Sequence, residues 1–255
     1  MKLIPAFCLS TVLVLGMMSC GHRESPRMTA FPRWMLWAWE EPQDLRFLKG
    51  QAYGVAFYAK HVVLRGTGME VRPRATPLKV DESTPLMAVV RIDGHSREIP
   101  ILDERQLNAL IVEVEDVIRL PRVRGLQLDF DARHSERLFY IRLVNALRAA
   151  HPNLALSITA LASWCVEDPW IRNLPVDEAV PMLFRMGTNA EGIRAQVREA
   201  RNFQAEIANH ALGISTDEPR DMVPPSWRKT RRIYIFQGRP WTADQVAHLT
   251  QELIR

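Results

Sequence analysis

Short apolar segments separated by polar stretches recur along the chain after residue 33, and they predict a series of β-strands. Each segment is bounded by polar or turn-forming residues, which is typical of a strand that ends in a loop. The predicted strands are Met35–Glu40, Tyr53–Ala59, Met87–Asp93, Gly125–Asp131, Ala155–Trp164, Ala179–Met186, Ala211–Asp217 and Arg232–Gln237.

Helical spacing of apolar residues appears in several of the stretches between these strands. Ser135 and Thr242 are suitable N-terminal caps. The predicted helices are Asp103–Arg119, Ser135–Ala150, Ala190–Ala208 and Thr242–Ile254. The stretch His61–Leu78 lacks helical spacing, and its Gly66-Thr67-Gly68 sequence between apolar residues predicts a hairpin or a bulged extension.

The alternation of strands and helices predicts an α/β fold, a (β/α)8 TIM-barrel-like single domain over residues 34–255. Strands that alternate with helices pair in parallel, and eight of them are enough to close a barrel. Without its first 19 residues, the chain of 255 residues is slightly shorter than the roughly 250 typical of this fold, so some outer helices should be short or missing. An open doubly wound sheet is the other possible arrangement, but no glycine fingerprint for a dinucleotide follows an early strand.

The first twenty residues have the features of an export signal. Lys2 precedes an apolar run from Leu3 to Met18, and Ser19 and Cys20 then lead into a polar stretch. A cysteine at the cleavage point resembles the bacterial lipoprotein signal, in which the thiol receives diacylglycerol. We therefore predict a signal peptide over residues 1–19, lipidation of Cys20, a tether over residues 20–33, and a location in the bacterial cell envelope on the periplasmic side of a membrane. Plain secretion and an uncleaved membrane anchor stay open.

Composition and charge narrow the range of partners. The chain is 47% hydrophobic and 24% charged, which is ordinary for a globular protein, and its net charge is +4. A nucleic-acid binder usually carries a more concentrated basic face, so we predict no nucleic-acid partner and expect a monomer. Of the three cysteines only Cys165 falls in the folded body, where a buried thiol is a simpler interpretation than a catalytic nucleophile.

No metal or cofactor is predicted. The seven histidines form no His-x-His pair of the kind that metal-dependent hydrolase barrels carry. A divalent cation held by Asp129, Asp131 and Glu218 stays conceivable, because carboxylates suit hard metal ions.

The segment from Gly125 to Ala132 carries the most informative pattern. Strand side chains alternate between faces, so Gln127, Asp129 and Asp131 share one face, opposite the apolar residues. The apolar face should meet the surrounding helices, which directs the polar face into the barrel. Carboxylates at positions that branched aliphatic residues normally fill are costly unless they are hydrogen-bonded or functional. The other interpretation is a structural carboxylate pair that is bonded to backbone amides and arginines.

Other predicted strands also end in polar or aromatic residues. Because the carboxyl ends of barrel strands meet at one face, these residues should line one pocket with the two aspartates. The candidate substrate-binding residues are Glu40, Arg91, Asp93, Gln127, Trp164, Arg185, Gln237 and Trp241, and Asp217 and Glu218 follow the seventh strand.

A pocket of carboxylates, arginines and tryptophans fits a carbohydrate. Indole rings stack on sugar faces, and glycosidic cleavage needs one protonated and one ionised carboxyl group. We assign Asp131 as the general acid, Glu218 or Asp217 as the nucleophile or base, and Asp129 as the group that supports Asp131. Repulsion between close carboxylates raises one pKa, which keeps an acid protonated near neutral pH.

Several long segments resemble a bacterial family known only as a domain of unknown function, over roughly residues 34–242. The resemblance implies a lipoprotein with a glycoside-hydrolase-like TIM barrel and says nothing about the substrate. The segments that carry it are Trp37-Ala-Trp-Glu40, Leu126-Gln-Leu-Asp-Phe-Asp-Ala132, Ile158-Thr-Ala-Leu-Ala-Ser-Trp-Cys165, Asp177-Glu-Ala-Val-Pro-Met-Leu-Phe-Arg-Met-Gly187 and Gly213-Ile-Ser-Thr-Asp-Glu-Pro219. The Asp-Phe-Asp strand is also similar to the acidic fourth strand of chitinase-like barrels. Those barrels carry a glutamate acid two positions after the last aspartate, where this chain has Arg133, so their mechanism does not transfer directly.

A non-catalytic module is the main rival to a hydrolase. An envelope lipoprotein could bind a glycan or a partner through a degenerate barrel of the same sequence pattern. The Arg-rich stretch Arg220–Arg232 could similarly dock on an anionic polymer, although a solvated surface explains it more simply. The two functions differ in the effect of replacing Asp131 by asparagine, since only a hydrolase has turnover to lose.

Overall fold

A closed barrel of parallel strands forms the body of the computed structural model, which describes residues 24–187, 190–199, 201–218 and 223–254. The strands are β1 (Trp34–Ala38), β2 (Gln43–Asp44), β3 (Tyr53–Arg65), β4 (Gly68–Pro73), β5 (Leu78–Lys79), β6 (Leu86–Gly94), β7 (Val123–Phe130), β8 (Ala155–Leu161), β9 (Glu178–Met182), β10 (Ala211–Ser215) and β11 (Arg232–Phe236). Within the described residues, β1, β3 and β6 to β11 form the eight-stranded barrel, and β1 closes it by pairing with both β3 and β11. The predicted TIM-barrel-like fold is confirmed.

Helices surround the barrel. They are α1 (Glu104–Ile118), α2 (Arg137–Ala150), α3 (Ala162–Val166), α4 (Ala190–Arg198), α5 (Pro225–Thr230) and α6 (Ala243–Ile254). α3 and α5 are short, as the chain length predicted. Short 3₁₀ turns lie at Pro26–Ala30, Arg46–Leu48, His134–Glu136, Trp170–Asn173 and Glu206–Asn209. No helix among the described residues is long and apolar enough to cross a membrane.

The predicted elements differ from the observed ones mainly at their ends. The strand predicted over Ala155–Trp164 ends at Leu161, and α3 begins at the next residue. The helix predicted over Ala190–Ala208 ends at Arg198. Ser135 lies inside a 3₁₀ turn and does not cap α2, whereas Thr242 accepts a bond from the Gln245 amide at 3.3 Å and caps α6. Such ends depend on local turns that the apolar pattern does not record.

The predicted extension after the second barrel strand is a β-hairpin. β3 pairs antiparallel with β4 from Arg65↔Gly68 to Lys60↔Pro73. The distal half of β3 also pairs with β6, with His61 next to Arg91. The hairpin therefore continues one wall of the barrel beyond the rim and brings a histidine to the carboxyl end.

Apolar side chains form two layers, one on the outer face of the barrel strands and one on their inner face. The outer layer packs the strands against the helices, and there Phe130 of β7 lies 5.1 Å from Tyr140 of α2 between ring centroids. The alternate residues of β7 face inward: Gln127 donates to Ser157 at 2.9 Å, and Asp129 accepts from Thr159 at 2.7 Å, both across β8. The predicted orientation of this strand, on which the catalytic hypothesis depends, is confirmed.

The amino-terminal end of the barrel is closed by residues 24–33. Met28 and Phe31 lie in the inner apolar layer, and Arg27 donates to Asp177 at 3.0 Å. Sequence reasoning assigned residues 20–33 to a tether, but the segment from residue 24 onward is packed structure, because its apolar side chains fill the open end of the barrel. The predicted signal peptide and Cys20 lie outside the described residues.

Residues 24–33 form a plug in the amino-terminal end of the barrel, and a buried polar network lies just above this plug. Glu178 is fully buried and accepts hydrogen bonds from Arg232 at 2.6 Å, Tyr234 at 2.5 Å and Ser157 at 3.2 Å. Gln127 joins the network through Ser157. Arg232 also donates to the carbonyl oxygens of Met28 at 3.0 Å and Phe31 at 3.1 Å, and this ties the plug to the barrel.

Phe31 of the plug packs closely against Gly125 of β7. A Cβ atom at Gly125 would lie 2.9 Å from Phe31 Cζ and 3.0 Å from the Ala155 carbonyl oxygen, so we expect Gly125→Ala to destabilise the fold by about 1–3 kcal/mol. Thermal unfolding followed by circular dichroism measures the change. Gly68→Ala is the matched control, since a Cβ there has no atom within 4 Å. Equal stability of the two variants would show that Phe31 does not pack against Gly125.

Candidate functional site

The end of β7 brings two carboxylates to the carboxyl end of the barrel. Asp129 is 3% exposed and accepts bonds from Arg91 at 2.9 Å and from Thr159 at 2.7 Å. Asp131 lies one step further along the same face, and 41% of its side chain is exposed. The strand thus holds one carboxylate in an ion pair and presents the next to the space above the barrel.

The environment of Asp131 favours its protonated form. Burial, together with repulsion from Asp129 and Asp93, raises its pKa from 3.8 to about 6, although Arg91 lowers it. The Arg91 guanidinium is 3.9 Å from the Asp131 carboxylate, too far for a hydrogen bond. An aspartate of this kind can donate a proton in mildly acidic solution.

Arg91 is the hub that holds the acidic groups in place. Its Nε and Nη2 atoms donate to the two oxygens of Asp93, each at 3.0 Å, while its Nη1 atom donates to Asp129. His61 of the hairpin approaches Asp93 to 2.7 Å. A guanidinium bound on both sides by carboxylates keeps a fixed orientation, so Arg91 presents an ordered positive charge to the cleft.

The site itself is a cleft with three connected parts. The inner part, of about 300 Å³, is lined by Asp129 and Asp131. The central part, of about 450 Å³, is lined by Glu40, Asp217 and Gln237, and the outer part, of about 680 Å³, shares Asp217 and Gln237 with it. The residues common to the inner and central parts are Trp39, Arg91, Phe184, Arg185 and Phe236.

Aromatic side chains form much of the cleft wall. Trp39, Phe184 and Phe236 line both the inner and the central part, and Tyr58 lines the central part. Below them Trp37 is fully buried and stacks on Phe236 at 4.4 Å between ring centroids. Trp37, on β1, therefore belongs to the core. Trp39 follows the end of β1, two residues beyond Trp37, and is only partly buried, which places it above the core.

Three of the predicted substrate-binding residues do not reach the cleft. Gln127 is fully buried in the network with Ser157, two residues below Asp129. Trp164 lies on α3 in the outer apolar layer, 5.0 Å from Trp170 between ring centroids. Trp241 is 4% exposed, and its indole N–H donates to the Trp37 carbonyl at 2.8 Å. The assignment of these three residues to the cleft is wrong, because Gln127 lies below the cleft inside the barrel and the two tryptophans pack in the outer apolar layer.

The remaining predicted binding residues surround the cleft. Glu40, Arg91, Arg185 and Gln237 line it directly. Asp93 contributes indirectly, since both of its oxygens are bound to Arg91. Sequence reasoning missed His61 because it ended the second strand at Ala59, and it also missed Tyr58, which lies within that predicted strand. The β-branched and apolar residues Val62, Val63 and Leu64 directly after His61 were the available signal that the strand continues.

The two acidic residues after β10 have different surroundings. Asp217 is exposed and lines the central and outer parts of the cleft. Glu218 is not among the described residues that line it, and its carboxylate accepts a bond from the Arg185 amide at 2.8 Å. Arg185 has a φ of 51°, an unfavourable value for a residue with a side chain, so the bond to Glu218 stabilises this strained turn.

Metal-binding geometry is lacking in the part of the chain that the structure describes, where no group of three His, Cys, Asp or Glu side chains could hold an ion.

The raised pKa of Asp131 predicts a pH-dependent stability. Between about pH 4 and pH 6 the folded state binds a proton that the unfolded state has released, so stability should fall as pH rises through this window. Asp131→Asn should remove the dependence and stabilise the protein above pH 6 by at most about 1 kcal/mol, because the side chain is partly exposed and screened. Thermal unfolding of the wild type and of Asp131→Asn from pH 3 to pH 8 measures this pH dependence of stability.

Asp44 offers a control of the opposite sign. Its hydrogen bond with Arg46 lowers its pKa from 3.8 to about 2, so the stability it contributes is present above pH 4 and lost as pH falls toward 2. Asp44→Asn should therefore change stability in the opposite direction. A pH profile of the Asp131→Asn variant that matches the wild type between pH 4 and pH 6 would contradict the assignment.

Fold and site together define an acidic, aromatic-lined TIM-barrel-like domain. Residues 82–197, which include β6, β7 and the two aspartates, match the model of a family described as a domain of unknown function (DUF3142). A search of curated proteins gives no match. Among solved structures, the C-terminal domain of Legionella pneumophila ChiA is similar, with a TM-score of 0.48 and 9% sequence identity over 87% of this chain and 95% of that chain.

Proposed function

We propose that the protein is a glycoside hydrolase that acts on an oligo- or polysaccharide, with Asp131 as the proton donor. The observation that carries the proposal is the position of Asp131, at the carboxyl end of a barrel strand, beside an aromatic-lined cavity, with its pKa raised to about 6. Glycosidic cleavage needs a carboxylic acid that is protonated near the working pH and aimed at the leaving oxygen.

The complementary carboxylate in this proposal is Asp217. It lines the central part of the cleft, which shares the walls of Arg91, Arg185 and Phe184 with the part that Asp131 lines. A sugar chain bound across both parts would therefore contact both carboxylates. Asp217 would act as base or nucleophile, while Glu218, bound to the Arg185 backbone, acts as a positioning residue.

The cleft walls support a sugar ligand. Trp39, Phe184 and Phe236 offer apolar faces for sugar rings, and Arg91, Arg185 and Gln237 offer donors for hydroxyl groups. The continuity of the three parts favours a ligand of several sugar units, because a single ring would fill only one part.

A non-catalytic glycan-binding module is the second candidate. The favouring observation is that Arg91 already engages both Asp93 and Asp129, so two of the acidic groups at this end are held in ion pairs. A cleft of fixed ion pairs and aromatic walls can bind a glycan without cleaving it.

Release of reducing ends separates the two candidates. The protein should release reducing sugar from at least one member of a panel of bacterial cell-wall and capsular polysaccharides. The Asp131→Asn variant should bind the same polymer in a sedimentation assay and release none. Binding by the wild type without release of reducing ends from any polymer that it binds would favour the binding module.

We also propose that the protein is exported and anchored in the cell envelope by lipid on Cys20. This proposal rests on the sequence of the first twenty residues. Mass spectrometry of the mature chain should find diacylglycerol on Cys20 and no residues 1–19, and Cys20→Ser should remove the lipid. A free Cys20 thiol at the mature N-terminus would indicate plain secretion, and retention of residues 1–19 would indicate an uncleaved anchor.

A further inference from the structure

A second charged cavity lies at the opposite end of the barrel, where the strands begin. It has a volume of about 250 Å³, and its lining includes Arg33, Arg231, Arg232, His210 and Glu24. Arg33 directly precedes β1, and Arg231 directly precedes β11. Three arginines and one glutamate among the described lining residues leave this cavity with an excess of positive charge.

Arg231 is the source of an unneutralised charge in the wall. It is 3% exposed, its guanidinium lies 3.5 Å from the centroid of the Trp227 ring, and it donates to Asn202 at 2.9 Å. In the described part of the chain no carboxylate forms an ion pair with it, and burial lowers its pKa to about 10. Burying a cation without an anionic partner is unfavourable, so an anion in the adjoining cavity would lower its free energy.

The two other arginines of the cavity differ in whether a carboxylate neutralises them. Arg232 is already paired with Glu178 and Glu24. Arg33 is exposed and lines the same cavity. An incoming anion would therefore contact the exposed side chain of Arg33 and would also be attracted by the buried charge of Arg231, which no described carboxylate neutralises. Arg232, already paired, keeps the wall of the cavity ordered.

The position of the cavity indicates which anion is close. Glu24 lines it, and four peptide steps separate Glu24 from Cys20, the proposed lipid attachment point. A fully extended chain spans at most about 3.6 Å per residue, so the lipid-bearing residue lies within about 15 Å of Glu24. A chain anchored at Cys20 therefore has its basic cavity within reach of the headgroups of the same membrane.

We propose that this cavity docks the phosphate of an anionic phospholipid headgroup, so that the amino-terminal end of the barrel lies on the membrane and the cleft opens away from it. The inference rests on the proposed lipid anchor, and it does not depend on the proposed hydrolase activity. One arginine close to an anionic leaflet changes the docked population about fivefold. The docking should weaken as ionic strength rises, since the salt screens these charges.

Spin labels on the full chain, purified from membranes and placed in vesicles, test the orientation. Thr29→Cys labels the exposed turn at the amino-terminal end, and Ser96→Cys labels the exposed loop after β6 at the other end. Cys165 is fully buried and should not react. In vesicles of phosphatidylcholine and phosphatidylglycerol, the label at 29 should meet lipid-dissolved oxygen, and the label at 96 should meet an aqueous nickel chelate.

Charge variants then separate the headgroup contact from the anchor. Arg33→Gln should reduce the lipid contact at position 29 about fivefold, while Arg97→Gln, an equal loss of charge in the loop after β6, should leave it unchanged. Arg33 is exposed, so this variant should fold even where Arg231→Gln does not. Mass spectrometry reports the lipid on Cys20 independently. A lipid-bearing chain whose label at 29 stays in water, or contacts pure phosphatidylcholine equally, overturns the headgroup site and leaves the anchor standing.

Discussion

Asp131→Asn should lower turnover by about 10²- to 10⁴-fold, while the affinity for the glycan should stay within a few-fold of the wild-type affinity. Asparagine keeps the shape of the side chain and its place beside Arg91, but it has no acidic proton for the leaving oxygen. Steady-state hydrolysis of a bound polysaccharide, with affinity measured by calorimetry, gives the two quantities separately.

The pH profile gives this prediction a second readout. Turnover of the wild type should fall as pH rises above about 6, because Asp131 then loses its proton. The residual activity of Asp131→Asn should lack this limb. Glu98→Gln is the matched control: Glu98 lies in the loop after β6, pairs with Arg65, and should leave turnover unchanged. A variant that keeps full turnover at pH 5 would exclude Asp131 as the acid.

Arg232→Met should cost about 3–5 kcal/mol of stability, the largest effect we expect from one substitution in the barrel. The change leaves Glu178, which is fully buried, without its cationic partner and removes the donors that hold the Met28 and Phe31 carbonyls. Thermal unfolding should show a decrease in Tm of roughly 6–20 °C, at about 2–4 °C per kcal/mol for a domain of this size.

Two comparisons make the prediction specific. Arg46→Met removes an ion pair with Asp44 whose side chains are 64% and 47% exposed, so it should lower Tm far less than Arg232→Met does. Adding Glu178→Gln to Arg232→Met should recover part of the loss, because it removes the uncompensated charge. A decrease in Tm no larger than that of Arg46→Met would show that Glu178 is not isolated from solvent.

Much of the architecture is predictable from the chain because it repeats a local pattern. Each barrel strand contains a short apolar segment, and all eight strands were found, although β3 runs six residues beyond its predicted end at Ala59. The inward face of β7 followed from alternation alone. Gln127 and Asp129 alternate with Leu126 and Leu128 along the strand, so the polar pair and the apolar pair point to opposite faces. A two-residue period needs no knowledge of distant partners.

Depth along the barrel is where sequence reasoning failed. Gln127 and Asp129 share a face, yet only Asp129 reaches the cleft, because the plug residues and the network around Glu178 fill the lower barrel. Trp164 and Trp241 follow strands in the sequence but pack on the outer side. Where a strand ends, and which way the next residue turns, depends on contacts from elements far away in the chain.

The sequence alone determined the barrel and the inward direction of the acidic strand, because alternation of apolar and polar residues is a local property. Only the tertiary structure decided that Trp39 lines the cleft, that Asp217 lines it whereas Glu218 supports Arg185, and that residues 24–33 close the barrel. Those outcomes depend on how high each side chain lies and on which neighbours surround it, and only the closed barrel defines height and neighbours.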